Sequence, residues 1–167
     1  MKMEENWYVI YTKSRQEKTL SQKLSAAGYE VYLPLVRKQS QWSDRKKVIE
    51  VPLFNSYVFI KNVSDKYKLR DFKGFVGLLF HNNMPARVTS KEIETLRSVI
   101  KYGFDVSEAG DKSTLTQGSE VMVMTGALKG MKGELVSIDD HDWFIINFEN
   151  FGNSIQVRVP SNILKKI

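Results

Sequence analysis

The strongest constraint on the fold is a short apolar run, Tyr-Val-Phe-Ile, at residues 57–60. All four residues are aromatic or β-branched, the types that strands favour, and no polar side chain interrupts them. A run without alternation predicts a strand that is buried on both faces. Pro52 and the pair Asn55–Ser56 come just before it and supply the turn that sets its start. We therefore expect this strand to lie at the centre of the N-terminal fold.

Two elements are predicted ahead of the central strand. Residues 7–12 form a compact β-prone run, and residues 16–27 repeat apolar side chains at the three- and four-residue spacing of a helix. Gly28 is a suitable stop for this helix. Its buried stripe is expected to contain Leu20, Leu24 and Ala27.

The segment between this helix and the central strand predicts a hairpin. Residues 29–39 are strand-like, but Pro34 interrupts them, which favours an edge position or a bulge. Residues 48–51 return as the partner strand. Residues 41–47 hold Trp42 among polar and cationic side chains, a composition that suits an exposed tip.

Beyond the central strand, the pattern continues with a short helix at 64–72, an apolar strand at 76–80 and a turn at 81–85. A capping box follows, in which Thr89 caps a helix and Glu92 reaches back. The order β-α-β-β-β-α-β-α predicts an α+β sandwich with helices against a mostly antiparallel sheet. The apolar face of the last helix is expected to contain Ile93, Leu96 and Ile100.

Charge and polarity divide the chain in two. Residues 1–105 hold 19 Lys+Arg against 11 Asp+Glu, a net +8, whereas residues 106–167 hold 6 against 8, a net −2. A basic half fits an anionic partner such as nucleic acid, and a mildly acidic half fits a protein-binding module, although solvated surface charge explains the same counts. We predict a first domain at 1–102, a flexible linker at 103–116 and a second domain at 117–167.

The second domain has an all-β pattern. Apolar strand-like runs occupy 121–124, 134–138, 143–148 and 155–159, with Gly126, Gly130 and Gly133 between the first two. Short strands at this spacing predict a small barrel. The glycines could suggest a phosphate-binding loop, but Gly130 is followed by Met131 rather than by the Lys-Ser/Thr that such a loop needs.

The residue types needed for catalysis or metal binding are scarce. The chain has no cysteine and two histidines, which fall in separate predicted domains. We therefore expect no enzymatic activity, no metal site and no cofactor. No apolar stretch approaches the roughly 18 residues of a membrane span, and the N-terminus has no apolar segment of a signal peptide. A monomeric cytoplasmic protein is expected.

Several segments resemble a known family. "WYVIYTKSRQEK" at 7–18, "VYLPL" at 31–35 and "PLFNSYVFIK" at 52–61 look like the N-terminal (NGN) domain of NusG-family transcription factors. "GSEVMVMTGALKGMKGELVSI" at 118–138 resembles a KOW motif, the first part of an SH3-like barrel. The wording is nearer to specialised paralogues of the RfaH and UpxY kind than to the housekeeping factor, since Asn55–Ser56 replace its usual Pro-Gly.

The resemblance implies a non-enzymatic elongation factor that binds RNA polymerase and promotes processive elongation or antitermination, at particular operons. A general NusG factor and a ribosome-associated KOW protein that binds RNA remain alternatives. The implied contacts are with the β′ clamp helices of polymerase, with the non-template DNA strand and, through the KOW domain, with a ribosomal small-subunit protein or Rho. The residues at matching positions are Tyr11, Phe54 and Tyr57 for polymerase; Lys13, Lys23, Arg70, Phe72 and Lys73 for DNA; and Phe151, Gly152 and Asn153 for the KOW partner.

Each of these assignments has a plain structural alternative. Phe54 and Tyr57 could be core aromatics, and any single lysine could belong to a solvated face. Phe72 could pack against the sheet. Phe151 could close one end of the barrel, although an exposed loop aromatic beside Gly152 would make an anchor for a partner.

Overall fold

A computed structural model of the protein describes residues 5–109, 118–138, 141–148 and 151–167. The chain divides into two compact units, Met1–Ile93 and Glu94–Ile167. The first unit contains, in chain order, β1 (Asn6–Thr12), α1 (Glu17–Ala26), β2 (Val31–Tyr32), β3 (Leu35–Gln41), β4 (Lys46–Pro52), β5 (Tyr57–Lys61), a 3₁₀ helix (Lys68–Asp71), β6 (Phe75–Leu78), β7 (Phe80–His81), β8 (Met84–Pro85) and β9 (Arg87–Thr89).

The main sheet of the first unit is antiparallel and has the order β2-β5-β1-β6, with β9 also paired to β1. Val58, Phe59 and Ile60 of β5 are fully buried. Because successive side chains alternate between faces, this burial shows that both faces of β5 are covered. The predicted central strand is confirmed.

One face of this sheet packs with α1. The buried cluster there contains Ile10, Leu20, Leu24, Val58, Ile60 and Leu69. The predicted stripe of α1 is confirmed at Leu20 and Leu24, but Ala27 is exposed. The helix ends at Ala26, and the chain turns at Gly28 with a φ of +93° that favours glycine, so Ala27 no longer follows the helical face.

The predicted hairpin is present as the β3–β4 ladder, and Trp42 at its tip is 59% exposed. Residues 29–39 are not one strand, however. Pro34 separates β2, which pairs with β5, from β3, which pairs with β4. A proline has no N–H to give to a ladder, so the chain changes sheets at that point.

Two other predictions for the first unit need adjustment. The helix expected at 64–72 is a single 3₁₀ helix at Lys68–Asp71. The strand expected at 76–80 is split, since β6 ends at Leu78 and Phe80 pairs in the short β7–β8 ladder. Asn82 and Asn83 turn this ladder with φ of +51° and +60°, a backbone region that asparagine tolerates better than most residues.

Helix α2 (Ser90–Lys101) spans the boundary between the two units. The capping box before it is confirmed, because the Thr89 N–H donates to Glu92 Oε2 at 2.7 Å and the Glu92 N–H donates to Thr89 Oγ1 at 3.2 Å. The buried side chains are Ile93, Leu96 and Val99, whereas the predicted Ile100 is only half-buried.

The second unit forms one antiparallel sheet. Its strands are β10 (Val106–Glu108), β11 (Ser119–Val123), β12 (Lys132–Ile138), β13 (His141–Phe148), β14 (Asn153–Val157) and β15 (Leu164–Lys166), and they lie in the order β10-β14-β13-β12-β11-β15. The predicted fold class, an α+β domain followed by a small KOW-type β unit, is confirmed. Gly133 is needed for packing, because a Cβ there would meet the Phe144 ring at 2.6 Å.

The predicted linker is wrong at Val106–Glu108, which form β10 and pair with β14. Val106 is buried. The backbone carbonyl of Asp105 extends the pairing by accepting the Arg158 N–H at 2.9 Å. One buried valine among polar residues is too weak a pattern to reveal a strand in the sequence, and pairing with β14 decides the conformation. Residues 110–116 of the predicted linker lie outside the described residues.

Candidate functional site

The most distinctive surface of the first unit is a pair of tyrosines, Tyr11 on β1 and Tyr57 on β5, which we call the tyrosine patch. They lie directly opposite each other, with ring centroids 6.0 Å apart and planes tilted by 56°. The next pair on the same face, Val9 and Phe59, is fully buried. Tyr11, in contrast, is 45% exposed and Tyr57 is half-buried. An apolar sheet face therefore reaches the surface at this patch.

Phe54 does not share this exposure. Its ring is 1% exposed and packs edge-on against Phe59, with centroids 6.2 Å apart and planes at 74°. The expectation that Phe54 borders an exposed depression is wrong, because the residues after it turn the chain and leave its ring inside. Its ring partner Phe59 lies two residues from Tyr57 on the same face of β5, so Phe54 supports the tyrosine patch from inside the fold.

The turn before Tyr57 is held by a residue that the sequence analysis missed. Ser56 has a φ of +66°, which is uncommon for a residue with a side chain. Its N–H donates to Glu17 Oε1 at 2.8 Å, and its carbonyl accepts the Thr12 N–H at 2.8 Å. Glu17 is 6% exposed, so this carboxylate is committed to the turn. A sequence signal existed, because Glu17, Leu20 and Leu24 follow helical spacing and place a carboxylate on the buried stripe.

The far end of the same sheet face is polar. Lys61, opposite Trp7, has its Nζ 5.9 Å from the Trp7 ring centroid, 2.6 Å from Glu5 Oε2 and 3.6 Å from Glu30 Oε2. The hydrogen bond to Glu5, aided by the charge of Glu30, raises the pKa of Lys61. Lys61 is thus paired within the protein, and the Trp7 ring beside it is buried. The exposed aromatic surface of this pair of strands lies at the other end, at the tyrosine patch.

The four predicted DNA-binding cations are all exposed. The structure brings two of their segments together, since the Lys13 N–H donates to the carbonyl of Gly74, the residue after Lys73, at 2.9 Å. Arg70 lies in the 3₁₀ helix nearby in sequence, and Lys23 lies in the last turn of α1. Exposure leaves these side chains available for phosphate contacts.

Phe72 is not available in the same way. It is half-buried, packs against the α1-side core cluster, and meets Tyr29 edge-on with centroids 6.1 Å apart. Phe72 therefore packs inside the first unit, as the structural alternative stated. The exposed aromatic of this segment is Tyr67, which is 64% exposed and was not singled out from the sequence.

In the second unit, Phe151 is 3% exposed and packs against Phe148 at a centroid distance of 6.3 Å. The expectation of an exposed loop aromatic is wrong. The N–H groups of Phe151 and Gly152 both donate to the Phe148 carbonyl, which ties these two residues to the end of β13. Gly152, with a φ of +78°, is exposed, and Asn153 is half-buried and donates to Glu108 Oε1 at 3.1 Å. Partial burial raises the pKa of Glu108.

Among the described residues, no three His, Cys, Asp or Glu side chains come together as a metal site. The helices in the described part of the chain are also too short or too polar to cross a membrane.

Both units of the chain match models of known families. The family model described as "Transcription termination factor nusG" matches residues 5–97, and the KOW motif model matches residues 117–147. The structure described as "Domain interaction in Thermotoga maritima NusG" has a TM-score of 0.60 and 18% identity, covering 99% of this chain and 98% of that one. The structure of an MjSpt4:Spt5 complex matches with 16% identity over 96% of this chain and 97% of that one, but its TM-score of 0.29 is too low to show the same overall fold. No curated protein matches the chain.

The two family models place a NusG-type unit ahead of a KOW unit. The NusG model covers more than half of the chain, so the protein belongs to the NusG family. It is, in general terms, a transcription elongation factor. Members of this family are non-enzymatic and act with RNA polymerase.

Proposed function

We propose that the tyrosine patch binds the β′ clamp helices of RNA polymerase and that the protein promotes processive elongation, with antitermination at particular operons as its role. The observation that carries the proposal is the exposure of Tyr11 beside Tyr57 at the end of an otherwise buried sheet face. Aromatic side chains that a sheet holds rigidly are common energetic centres of protein interfaces.

The two tyrosines suit a helical partner. Each presents an apolar ring and a hydroxyl, so the pair can cover an apolar helix tip and also bond to its polar ends. The Glu17 carboxylate and the Thr12 N–H fix the turn that begins β5, so Tyr57 needs little ordering when the partner arrives. Preorganisation of this kind lowers the entropic cost of binding.

Lys13, Lys23, Arg70 and Lys73 bind the non-template DNA strand in this proposal. The exposure of all four, the backbone contact between the Lys13 and Lys73 segments and the net +8 of residues 1–105 support it. Phosphate contacts of this type give affinity without sequence choice.

The mechanism is a shift in a polymerase equilibrium. The protein binds both polymerase and the displaced DNA strand. It therefore stabilises the polymerase conformation in which it can contact the two at the same time. It disfavours the opened, paused state by no more than its difference in affinity for the two states. The KOW unit recruits a second partner, a ribosomal small-subunit protein or Rho, through the loop at Gly152 and Asn153, with Phe151 as its buried support.

The test is a titration of the full chain against RNA polymerase core by an equilibrium method. Tyr11→Ala combined with Tyr57→Ala should raise the Kd by at least about thirtyfold, since truncating even one interface aromatic costs on the order of 2 kcal/mol. Trp42→Ala is the matched control, because Trp42 is an exposed aromatic of the same unit at the tip of the β3–β4 hairpin.

Circular dichroism should show that both variants keep the wild-type fold. A double variant that is folded and binds polymerase with wild-type affinity would refute the role of the patch. The same titration on an elongation complex at rising salt addresses the DNA contacts, because each lost phosphate contact lowers the slope of log affinity against log salt by about 0.7. Replacing all four cations with glutamine and finding an unchanged slope would remove them from the DNA face.

A further inference from the structure

The β3–β4 hairpin is rich in positive charge. Residues 35–52 hold five Lys or Arg against two Asp or Glu. The hairpin forms a two-stranded sheet of its own. Its side chains from Arg37 to Glu50 are exposed, except that Ser40 and Ile49 are half-buried. Most of the hairpin is therefore a solvated ribbon whose cations a partner can reach.

The base of the hairpin is fixed to the rest of the first unit. Val36 is buried, and the Leu53 N–H donates to the Pro34 carbonyl at 2.9 Å. The Lys18 Nζ of α1 donates to the Glu50 carbonyl at 2.7 Å. A two-stranded hairpin is marginally stable on its own, and these contacts hold it at one end. The ribbon thus extends from a fixed base to an exposed turn.

The pairing register sorts the side chains of the ribbon onto two faces. Opposite residues of an antiparallel ladder share a face, and successive residues alternate between faces. One face, which we call the cationic face, contains the pairs Lys38–Ile49, Ser40–Lys47 and Trp42–Arg45. The other face contains the pairs Arg37–Glu50, Gln39–Val48 and Gln41–Lys46. The cationic face therefore has three cations and no carboxylate, whereas the other has two cations and one carboxylate.

The electrostatic difference between the two faces is larger than these counts. On the second face, Arg37 Nε lies 3.9 Å from Glu50 Oε1, so one cation there has a partner. On the cationic face, Lys38 and Lys47 occupy diagonal positions, which lie about 7–8 Å apart in a ladder. Like charges at this distance repel each other, and a bound anion relieves the repulsion. The cationic face is therefore suited to a polyanion.

We propose that the cationic face of the hairpin binds double-stranded DNA, with the ribbon in the major groove. The major groove of B-form DNA is about 12 Å wide and admits a two-stranded β-ribbon. Lys38 and Lys47 contact backbone phosphates, and Trp42 and Arg45 at the tip meet the base edges. The cationic face contains none of the four cations proposed for the displaced strand, and its ligand is paired DNA.

The shape and composition of the hairpin favour duplex DNA over other nucleic acids. The major groove of an A-form RNA helix is deep and narrow, so side chains cannot read it. A single strand is bound largely by stacking of successive bases on aromatic rings. Residues 35–52 contain one aromatic residue, Trp42, which is too few for such a series. Phosphate contacts along a groove need only the cations that the ribbon carries.

The experiment measures binding of a short fluorescein-labelled DNA duplex of mixed sequence to the full chain, by fluorescence anisotropy at several salt concentrations. Lys38→Gln with Lys47→Gln should lower the magnitude of the slope of log affinity against log salt by about 1.8, for two phosphate contacts at about 0.9 each. Trp42→Ala should weaken binding at least about fivefold and leave the slope unchanged, because it removes apolar contact area but no charge.

Arg37→Gln with Lys46→Gln is the matched control, because it removes two exposed cations from the other face of the same hairpin. Its salt slope should stay close to that of the wild type. Equal slopes in the two double variants would overturn the proposal, as would a wild-type slope in Lys38→Gln with Lys47→Gln. All the substituted side chains are exposed, so circular dichroism should show the wild-type fold in each variant. Wild-type duplex affinity in Trp42→Ala would overturn the docking of the tip in the groove.

Other ligands separate the proposal from its rivals. Tighter binding of an RNA duplex of the same sequence would overturn the assignment to DNA. Lys38→Gln with Lys47→Gln should leave the affinity for oligodeoxythymidine unchanged. A loss for oligodeoxythymidine as large as that for the duplex would overturn the proposal, because the face would then bind any polyanion.

Polymerase binding separates this inference from the proposed function. Weaker binding of Lys38→Gln with Lys47→Gln to polymerase core without nucleic acid, together with unchanged duplex affinity, would assign the hairpin to a protein partner and overturn the inference. Failure of the wild type to bind polymerase core would instead refute the proposed function. The duplex measurement needs no polymerase, so its outcome decides the role of the cationic face in either case.

Discussion

Two aromatic pairs, one in each unit, have nearly the same geometry. The Tyr11–Tyr57 rings are 6.0 Å apart and tilted by 56°, and the Phe148–Phe151 rings are 6.3 Å apart and tilted by 58°. Their surroundings differ. Phe148 and Phe151 are 2% and 3% exposed, whereas Tyr11 is 45% exposed.

The contact between the rings is thus a poor guide to what a pair does. A tilted arrangement at about 6 Å is favourable wherever two aromatic rings meet, in a core or on a surface. What separates the pairs is how much apolar area the fold has already removed from water. The phenylalanine rings are already buried, so their apolar area stabilises the fold. The tyrosine rings still expose apolar area, and burying it against a partner would stabilise a complex.

The largest effect expected from this comparison is on stability, in the variant Phe151→Ala. Truncating a buried phenylalanine removes apolar burial and leaves a cavity, so the free energy of unfolding of the second unit should fall by about 3–5 kcal/mol. Scanning calorimetry measures this change. A loss under about 1 kcal/mol would mean that Phe151 is not part of the core. The Phe148–Phe151 pair would then contribute no more to stability than the Tyr11–Tyr57 pair.

An intermediate effect is expected for Glu17→Ala. The substitution leaves the Ser56 N–H, in a partly buried turn, without its acceptor, which should cost about 1–3 kcal/mol of unfolding free energy in urea denaturation. Glu17→Gln keeps an amide oxygen as the acceptor and should lose less. Polymerase affinity should fall in Glu17→Ala as well, because Tyr57 follows directly after the turn. Unchanged affinity would show that the tyrosine patch does not depend on this turn.

The smallest stability effect is expected for Tyr11→Ala. Much of the ring is already in water, so its removal should cost less than about 1 kcal/mol of unfolding free energy, mainly the contact with Tyr57. Chemical denaturation measures the difference. If Tyr11→Ala lowered the free energy of unfolding as much as Phe151→Ala, Tyr11 would be part of the core rather than an exposed ring available to a partner.

The sequence predicted best where local chemistry is sufficient. The unbroken apolar run at 57–60 required a doubly buried strand, and Thr89 with Glu92 specified a helix start through bonds only three residues apart. The expectation of two domains followed from the charge split, the all-β pattern of the second half and the resemblance, but the contact-based division falls at Ile93/Glu94, inside the predicted first domain. These features need no information from distant parts of the chain.

The sequence failed where long-range packing decides. Phe54 and Phe151 each stand beside turn residues, which indicate a loop but not the direction of the ring. Val106–Glu108 became a strand through pairing with β14. Glu17 acts on a residue 39 positions away, and the exposure of Tyr67 depends on how its turn is anchored. The DNA and polymerase roles came from the resemblance and stay predictions.

The outer strands of the second sheet also bear on how the protein behaves at high concentration. An unpaired strand edge can recruit a second molecule and start aggregation, and charged side chains oppose this. β10 has Glu108 at its end, and β15 carries exposed Lys165 and Lys166. Since the two edges bear opposite charges, each repels its own copy. These charges do not oppose contact between β10 of one molecule and β15 of another, because the two edges attract each other.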